Sequence, residues 1–427
     1  MRATYKGLDM LRGLGIFVLL WMHTAFYYFD GLFDLDFNNP PPIVTIIGLL
    51  LMFAGIFGMI SGTAHVVQYQ RKTVGKGVSA GSLLRYNTVN ALLMLAVAWL
   101  YFVFTGPGLA DMANRSMNNS LLVELVRNGR WAGFNLERFL YVDSLVMIGM
   151  NLLLLGPIYL FLRKRSATLW LIAGLGFLTL SLLRIPLYAR YLDAVDAGQT
   201  AVVLLLNWLV NKNNPILPYL SFGLLGGWIG RLLADDDFRR MVRRIVPVGA
   251  GLFVLGAMLY VLLPDTMLER SIDAKWFAIM TAQLGLFLLL ILFALWLFDF
   301  RKGQSHPEGM KRRERQFPVP EEVAHPARRL AGPLAFLHRF GVAGLTAFFF
   351  ESVLSAGVFR LLRLFLPSLH FGLGGALLYG FCLALLWGVL LWLWERAQYR
   401  YGIEWLLCRL LRPFGHSAKQ DKLMVRS

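Results

Sequence analysis

The sequence predicts an all-α, polytopic integral membrane protein with about ten transmembrane helices. Three observations carry this. The chain is 57% hydrophobic and only 16% charged over 427 residues, with a mean hydropathy of +0.58. Apolar windows of about 20 residues recur along its length, enough to cross a hydrocarbon core of about 30 Å. Lysine and arginine collect between alternate windows, as they do in the cytoplasmic loops of helical membrane proteins.

In order, the windows fall at 11–29, 43–66, 86–105, 139–162, 168–188, 215–234, 245–263, 276–299, 333–359 and 371–395. The first has no small-residue cleavage site after its apolar run and reads as a retained signal anchor. With ten spans, the clusters Arg71/Lys72/Lys76, Arg163/Lys164/Arg165, Arg239/Arg240/Arg243/Arg244 and Lys311/Arg312/Arg313/Arg315 share one side. That side, with both termini, is expected to be cytoplasmic. The first outer loop carries Asp30, Asp34 and Asp36 instead. Residues 200–212 are apolar but too short to cross. A full span there would put the Arg239–Arg244 cluster outside, so they read as a re-entrant or interfacial helix on the outer side.

The polar stretches between windows organise the rest. Residues 300–332, with Pro307, Pro318, Pro320 and Pro326 among many charges, read as a cytoplasmic linker in a single transmembrane domain covering 1–427. The loop at 106–138 is the largest on the far side. It mixes Asp111, Glu124, Arg127, Arg130, Trp131 and Glu137, and suits either a polar acceptor or a lid resting on headgroups. The formal charge of +17 fits basic cytoplasmic loops and membrane lipids, not nucleic acid. Cys382 and Cys408 supply no disulfide framework, and no metal-ligand spacing is present.

Within this frame a few ionisable residues fall inside spans, where they are costly and mark functional sites by default. Arg12 and His23 are eleven positions apart, about 16 Å of rise, and share a helix face with Asp9. A histidine that titrates near neutrality can act as general base or as nucleophile. Arg12, at the cytoplasmic mouth, suits a phosphate or a structural pair with Asp9. Ser61 and Gly62 late in the second span suit close helix packing or a thin substrate arm, and His65 follows one turn later. In the ninth span Glu351 interrupts the apolar run TAFFFES and is positioned to orient His23 if the two helices meet. Asn87, Asn90 and Asn151 suit helix-to-helix hydrogen bonds or a cavity lining.

The first span, Leu8-Asp9-Met10-Leu11-Arg12-Gly13 followed by His23, resembles that of the transmembrane acyltransferase superfamily. This superfamily includes the acyltransferase-3 proteins and the heparan-alpha-glucosaminide N-acetyltransferase branch. FGMISG at 57–62 is similar to the Ser-Gly end of the acyltransferase-3 second helix. GVAGLTAFFFESVLS at 341–355, RYGIEWLLCRL at 400–410 and PILPYLSFGLLGGWIG at 215–230 resemble segments of relatives of the heparan branch. The resemblance implies acyl transfer, acetyl above all, from cytoplasmic acyl-CoA to an extracytoplasmic glycan or lipid-linked acceptor across a bacterial inner membrane. It implies His23 as the catalytic residue; Glu351, expected close to mid-membrane from its place in the ninth span, is the candidate to orient it. Arg12, Ser61, Gly62 and His65 would then face the donor. A transporter or flippase, and a catalytically silent membrane subunit, are the rival readings; whether copies associate as a homo-oligomer stays open. No HExxH, P-loop, GxSxG or GxGxxG motif points to other chemistry.

Overall fold

Every backbone N–H and C=O that lies in hydrocarbon must be satisfied within the protein, which forces the chain into helices. The computed structural model is built almost wholly from them. It describes residues 5–36, 41–51, 53–75, 77–111, 114–133, 135–210, 213–235, 237–263, 272, 274–301 and 332–414.

Helix α1 (Lys6–Tyr27) opens before its apolar run begins. The N–H groups of Lys6 and Gly7 donate to the Asp299 carboxylate at 3.1 and 2.8 Å. A buried anion from a distant helix end thus satisfies the first turn and its dipole. Next come α2 (Pro42–Leu51), α3 (Ala54–Gln70) and α4 (Ala80–Leu100). Helices α3 and α4 each run on into a π-helical turn, Arg71–Gly75 and Tyr101–Thr105. The following loop holds a hairpin of two short antiparallel strands, β1 (Leu109–Asp111) and β2 (Ser116–Asn118), then α5 (Leu121–Asn128) and α6 (Leu136–Phe139). Beyond it lie α7 (Ser144–Leu162), α8 (Ala167–Leu180), α9 (Arg184–Asp196) and α10 (Thr200–Val210). The chain continues through α11 (Ile216–Leu233), α12 (Phe238–Leu262) and α13 (Ala274–Leu295). Helices α14 (Pro333–Phe365), α15 (Leu373–Glu395) and α16 (Ile403–Leu411) complete it.

Among the described residues, nine helices are long and apolar enough to cross a membrane. This is an all-α polytopic membrane protein. The span expected at 43–66 is made of two helices in succession, α2 and α3, with α3 running on to Gly75 through its π-helical turn; neither is among the nine. The span expected at 168–188 extends to Asp196, because α8 and α9 join through a 3-10 turn at 181–183. Residues 200–210 form an 11-residue helix packed on α9, too short to cross. The linker expected at 300–332, with the Lys311–Arg315 cluster, lies outside the described residues except at its ends.

Of the close backbone-to-backbone helix contacts made at glycines, two bear on the site. Gly13 of α1 rests on the Leu337 carbonyl, and Gly341 of α14 rests on the Asp9 carbonyl, so any Cβ there would overlap the opposing backbone. Gly62 of α3 likewise faces Gly223, and Gly226 of α11 faces Met59. Small residues bring helices this close where no hydrophobic force from water drives them together. The larger core cluster joins α3, α7, α8, α11 and α13 around Met59, Tyr159, Trp170, Phe222 and Phe287. A second joins α1, α14 and α15 through Leu20, Phe340 and Leu391. A third joins the far end of α4, the start of α7 and the middle of α14 through Tyr101, Val146 and Phe348. The helix ends at Arg71, Arg163 and Arg239 define a basic face; the hairpin, α5 and α6 cover the opposite end, here called the lid face.

Candidate functional site

The tight crossing of α1 and α14 delivers two ionisable residues of these helices to each other. His23 Nδ1 lies 2.8 Å from Glu351 Oε1. The Tyr101 hydroxyl donates to the same carboxylate oxygen at 3.0 Å. Glu351 is 3% exposed, so an ionised carboxylate here must be met by donors or by a cation. Its Oε2 has no hydrogen-bond partner among the described residues. Aromatic rings wall the group: Tyr27 and Phe348 flank the His23 ring at 5.9 Å each, and Tyr101 stacks on Phe348 at 4.7 Å. When Nδ1–H donates to Glu351, the neutral imidazole carries its basic lone pair on Nε2, the tautomer a general base needs.

Along its helix His23 is four residues from the lid-face end of α1. Glu351 lies near the middle of the 33-residue α14.

Arg12 sits about 16 Å below His23 by helical rise. Its Nη1 pairs with Asp9 at 3.2 Å and donates to the Gly341 carbonyl at 3.3 Å. The guanidinium is therefore engaged structurally, although its side chain keeps 35% of its exposure. Ser61 and His65 form a local pair on α3: His65 Nδ1 lies 2.8 Å from the Ser61 carbonyl and 3.3 Å from its hydroxyl, and Asn90 Nδ2 approaches His65 Nε2 at 3.5 Å. Of the two readings of Gly62, close helix packing holds and a substrate arm beside it does not, since the space at its Cβ holds the backbone of Gly223. Asn87 and Asn151 are helix ties: Asn87 accepts from Tyr69 and donates to the Leu152 carbonyl at 2.7 Å, and Asn151 donates to the Tyr219 carbonyl at 3.2 Å.

Two functional contacts have no counterpart in the sequence reading. Tyr101 is one aromatic residue among several at the end of its span, and only the π-helical turn at 101–105 and the packing of α14 aim it at Glu351. The second is Glu404. Helix α14 is kinked at Ala343 (φ −117°, ψ 29°), and the N–H groups of Leu345 and Thr346 beyond the kink donate to Glu404 Oε1 at 2.6 and 3.1 Å. The Thr346 hydroxyl donates to the other oxygen of Glu404 and accepts from Ile403 N–H at 2.8 Å. Helix α16 thus caps the half-helix that carries Glu351, while Arg12 holds the Gly341 carbonyl on the other side of the kink.

The lid closes over this end of the bundle. Buried Arg138 donates to the carbonyls of Phe102, Pro107 and Asn118 at 2.8, 2.8 and 2.6 Å, tying the loop to the turn that carries Tyr101. Glu124 accepts from Asn119, Asn128 and Arg130, each at 2.8 Å. Burial raises the Glu124 carboxyl, but these donors outweigh it and hold it below the ordinary range. No protein-family model matches the chain, and no curated protein matches it.

Proposed function

We propose that the protein is a membrane acyltransferase that moves an acyl group, acetyl in the simplest case, from acyl-CoA to a glycan or lipid-linked acceptor. The observation that carries this reading is the buried His23–Glu351 pair with Tyr101 on the same carboxylate oxygen. A base oriented by a carboxylate is the arrangement that activates a hydroxyl or amine for attack on a thioester. Nε2 takes the proton as the acceptor oxygen bonds to the carbonyl carbon. Glu351 stabilises the imidazolium, and the proton leaves with the CoA sulfur as the C–S bond breaks. The first-span resemblance to the transmembrane acyltransferase superfamily supports the choice of an acyl donor. So does the placement of Arg12, Ser61 and His65 on the basic side, where a CoA phosphate would be met. In this reading the basic face is cytoplasmic, both termini lie there, and the lid face receives the acceptor across a bacterial inner membrane.

The test is a transfer assay on wild type and His23→Ala, with acetyl-CoA binding as the control for folding. Transfer should fall about 10²–10⁴-fold, the contribution of a proton-transfer residue, while binding persists. Near-wild-type transfer in the variant overturns the assignment.

A further inference from the structure

The lid face carries a cluster of charge that the His23 site does not use. Two guanidinium groups lie over one aromatic pair there, and a third is beside them. Arg127, from α5, lies over Tyr28 and Phe359 at 5.1 and 5.5 Å, and Arg363 lies over Phe359 at 5.8 Å. Arg360 Nη1 donates to the Val126 carbonyl at 3.1 Å, beside them. No carboxylate pairs with any of the three among the described residues. The nearby acids are engaged elsewhere: Glu124 with Arg130, Asp30 with His370 and the Phe371 N–H, and Asp34 with Arg115. Arg363 taken alone is accounted for by the turn after α14, since its Nη2 reaches the Pro367 carbonyl at 3.4 Å. Three like charges gathered from two elements with no paired carboxylate give a locally positive surface that favours an anion.

The surroundings say which anion. Around Arg360 and Arg363 the helix presents Leu361, Leu364 and Phe365 outward, the last two 71% and 77% exposed. These side chains meet lipid in a spanning helix, so the guanidiniums sit where acyl chains give way to headgroups. Guanidinium groups also match phosphate oxygens bidentately. Phe359 is eight residues beyond Glu351 on α14, about 12 Å of rise, and Tyr28 is five residues beyond His23 on α1. We infer that Arg127, Arg360 and Arg363 form a binding site for the phosphate of a membrane lipid at the lid-face end of α14. The site deepens the acyl-transfer reading, in which it would hold a lipid-linked acceptor, but its occupancy is measurable without any transfer.

Native mass spectrometry of the full-length protein in detergent, with added phosphatidylglycerol, tests this. Wild type should retain the phospholipid. The triple variant Arg127→Gln/Arg360→Gln/Arg363→Gln should bind it about tenfold or more weakly, about 1.4 kcal/mol. The Arg→Lys triple keeps the charge and should retain part of the affinity, which guards against a loss caused by misfolding. Diacylglycerol with the same chains should not compete, and soluble glycerol phosphate should compete poorly. Retention unchanged in the Gln triple overturns the site. So does an equal loss in Arg239→Gln/Arg240→Gln/Arg243→Gln on the basic face, which would mean general attraction. Equal competition by glycerol phosphate overturns the lipid assignment. Intact transfer in a protein whose patch has lost its lipid would refute the acceptor role while leaving the lipid site and the His23 chemistry standing.

Discussion

Replacing Glu404 by Ala should loosen α14 at Ala343, and the size of the effect follows from what the carboxylate holds. Two N–H groups, Leu345 and Thr346, and the Thr346 hydroxyl donate to it. The hydroxyl can turn to a carbonyl one turn back in its own helix, so it is left out of the sum. Each N–H stranded away from water costs about 1–3 kcal/mol. Two give about 2–6 kcal/mol, and water reaching the half-buried Glu404 position should recover part, leaving about 2–4 kcal/mol. Glu404→Gln keeps an acceptor oxygen and loses only the charge assistance, so about 1 kcal/mol is expected. Equilibrium unfolding in mixed micelles measures the totals, and amide hydrogen exchange over residues 344–347 localises them. The order wild type, Gln, Ala should appear in both readouts. If Glu404→Ala leaves stability and the protection of 344–347 unchanged, Glu404 is not the cap of the half-helix. If Gln costs as much as Ala, the charge and not the acceptor geometry is what matters.

Two further outcomes are expected. Glu124 is held below the ordinary carboxylate range in the folded lid, so its contribution is fully present above the unfolded-state value of about 4.3 and is lost as pH falls through the lower folded value. Protease sensitivity of the lid should therefore rise as pH drops below about 4.3, and Glu124→Gln should remove that dependence; an unchanged pH profile in the variant would refute the role. For topology, with Cys382 and Cys408 replaced, Arg130→Cys should label with an impermeant maleimide from outside intact cells and Met310→Cys should not. The reverse pattern would invert the orientation proposed above.

Much of the architecture was legible in the sequence because a bilayer reads hydropathy over whole windows. Long apolar runs must be helices there, whatever they pack against, and the runs near 139–162, 276–299 and 371–395 appear as α7, α13 and α15 close to where they were expected. Short apolar length likewise marked 200–212 as a segment that does not cross. Charge inside spans singled out Arg12, His23 and Glu351, since ionisable groups are expensive in that setting. Their partners depended on tertiary packing. Asp299, nearly 300 residues away in sequence, caps the first turn of α1. The Gly13 and Gly341 crossing brings α14 against α1, so that His23 meets Glu351. The kink at Ala343 leaves N–H groups that Glu404 takes up, and the π-helical turn at 101–105 aims Tyr101 at the same carboxylate. Gly62 shows the limit most plainly: its size was readable, but which backbone fills the space beside it was decided by α11. Hydropathy and charge are properties of each segment and survive in the sequence, whereas a hydrogen bond or a close crossing belongs to two segments at once and exists only after they have packed.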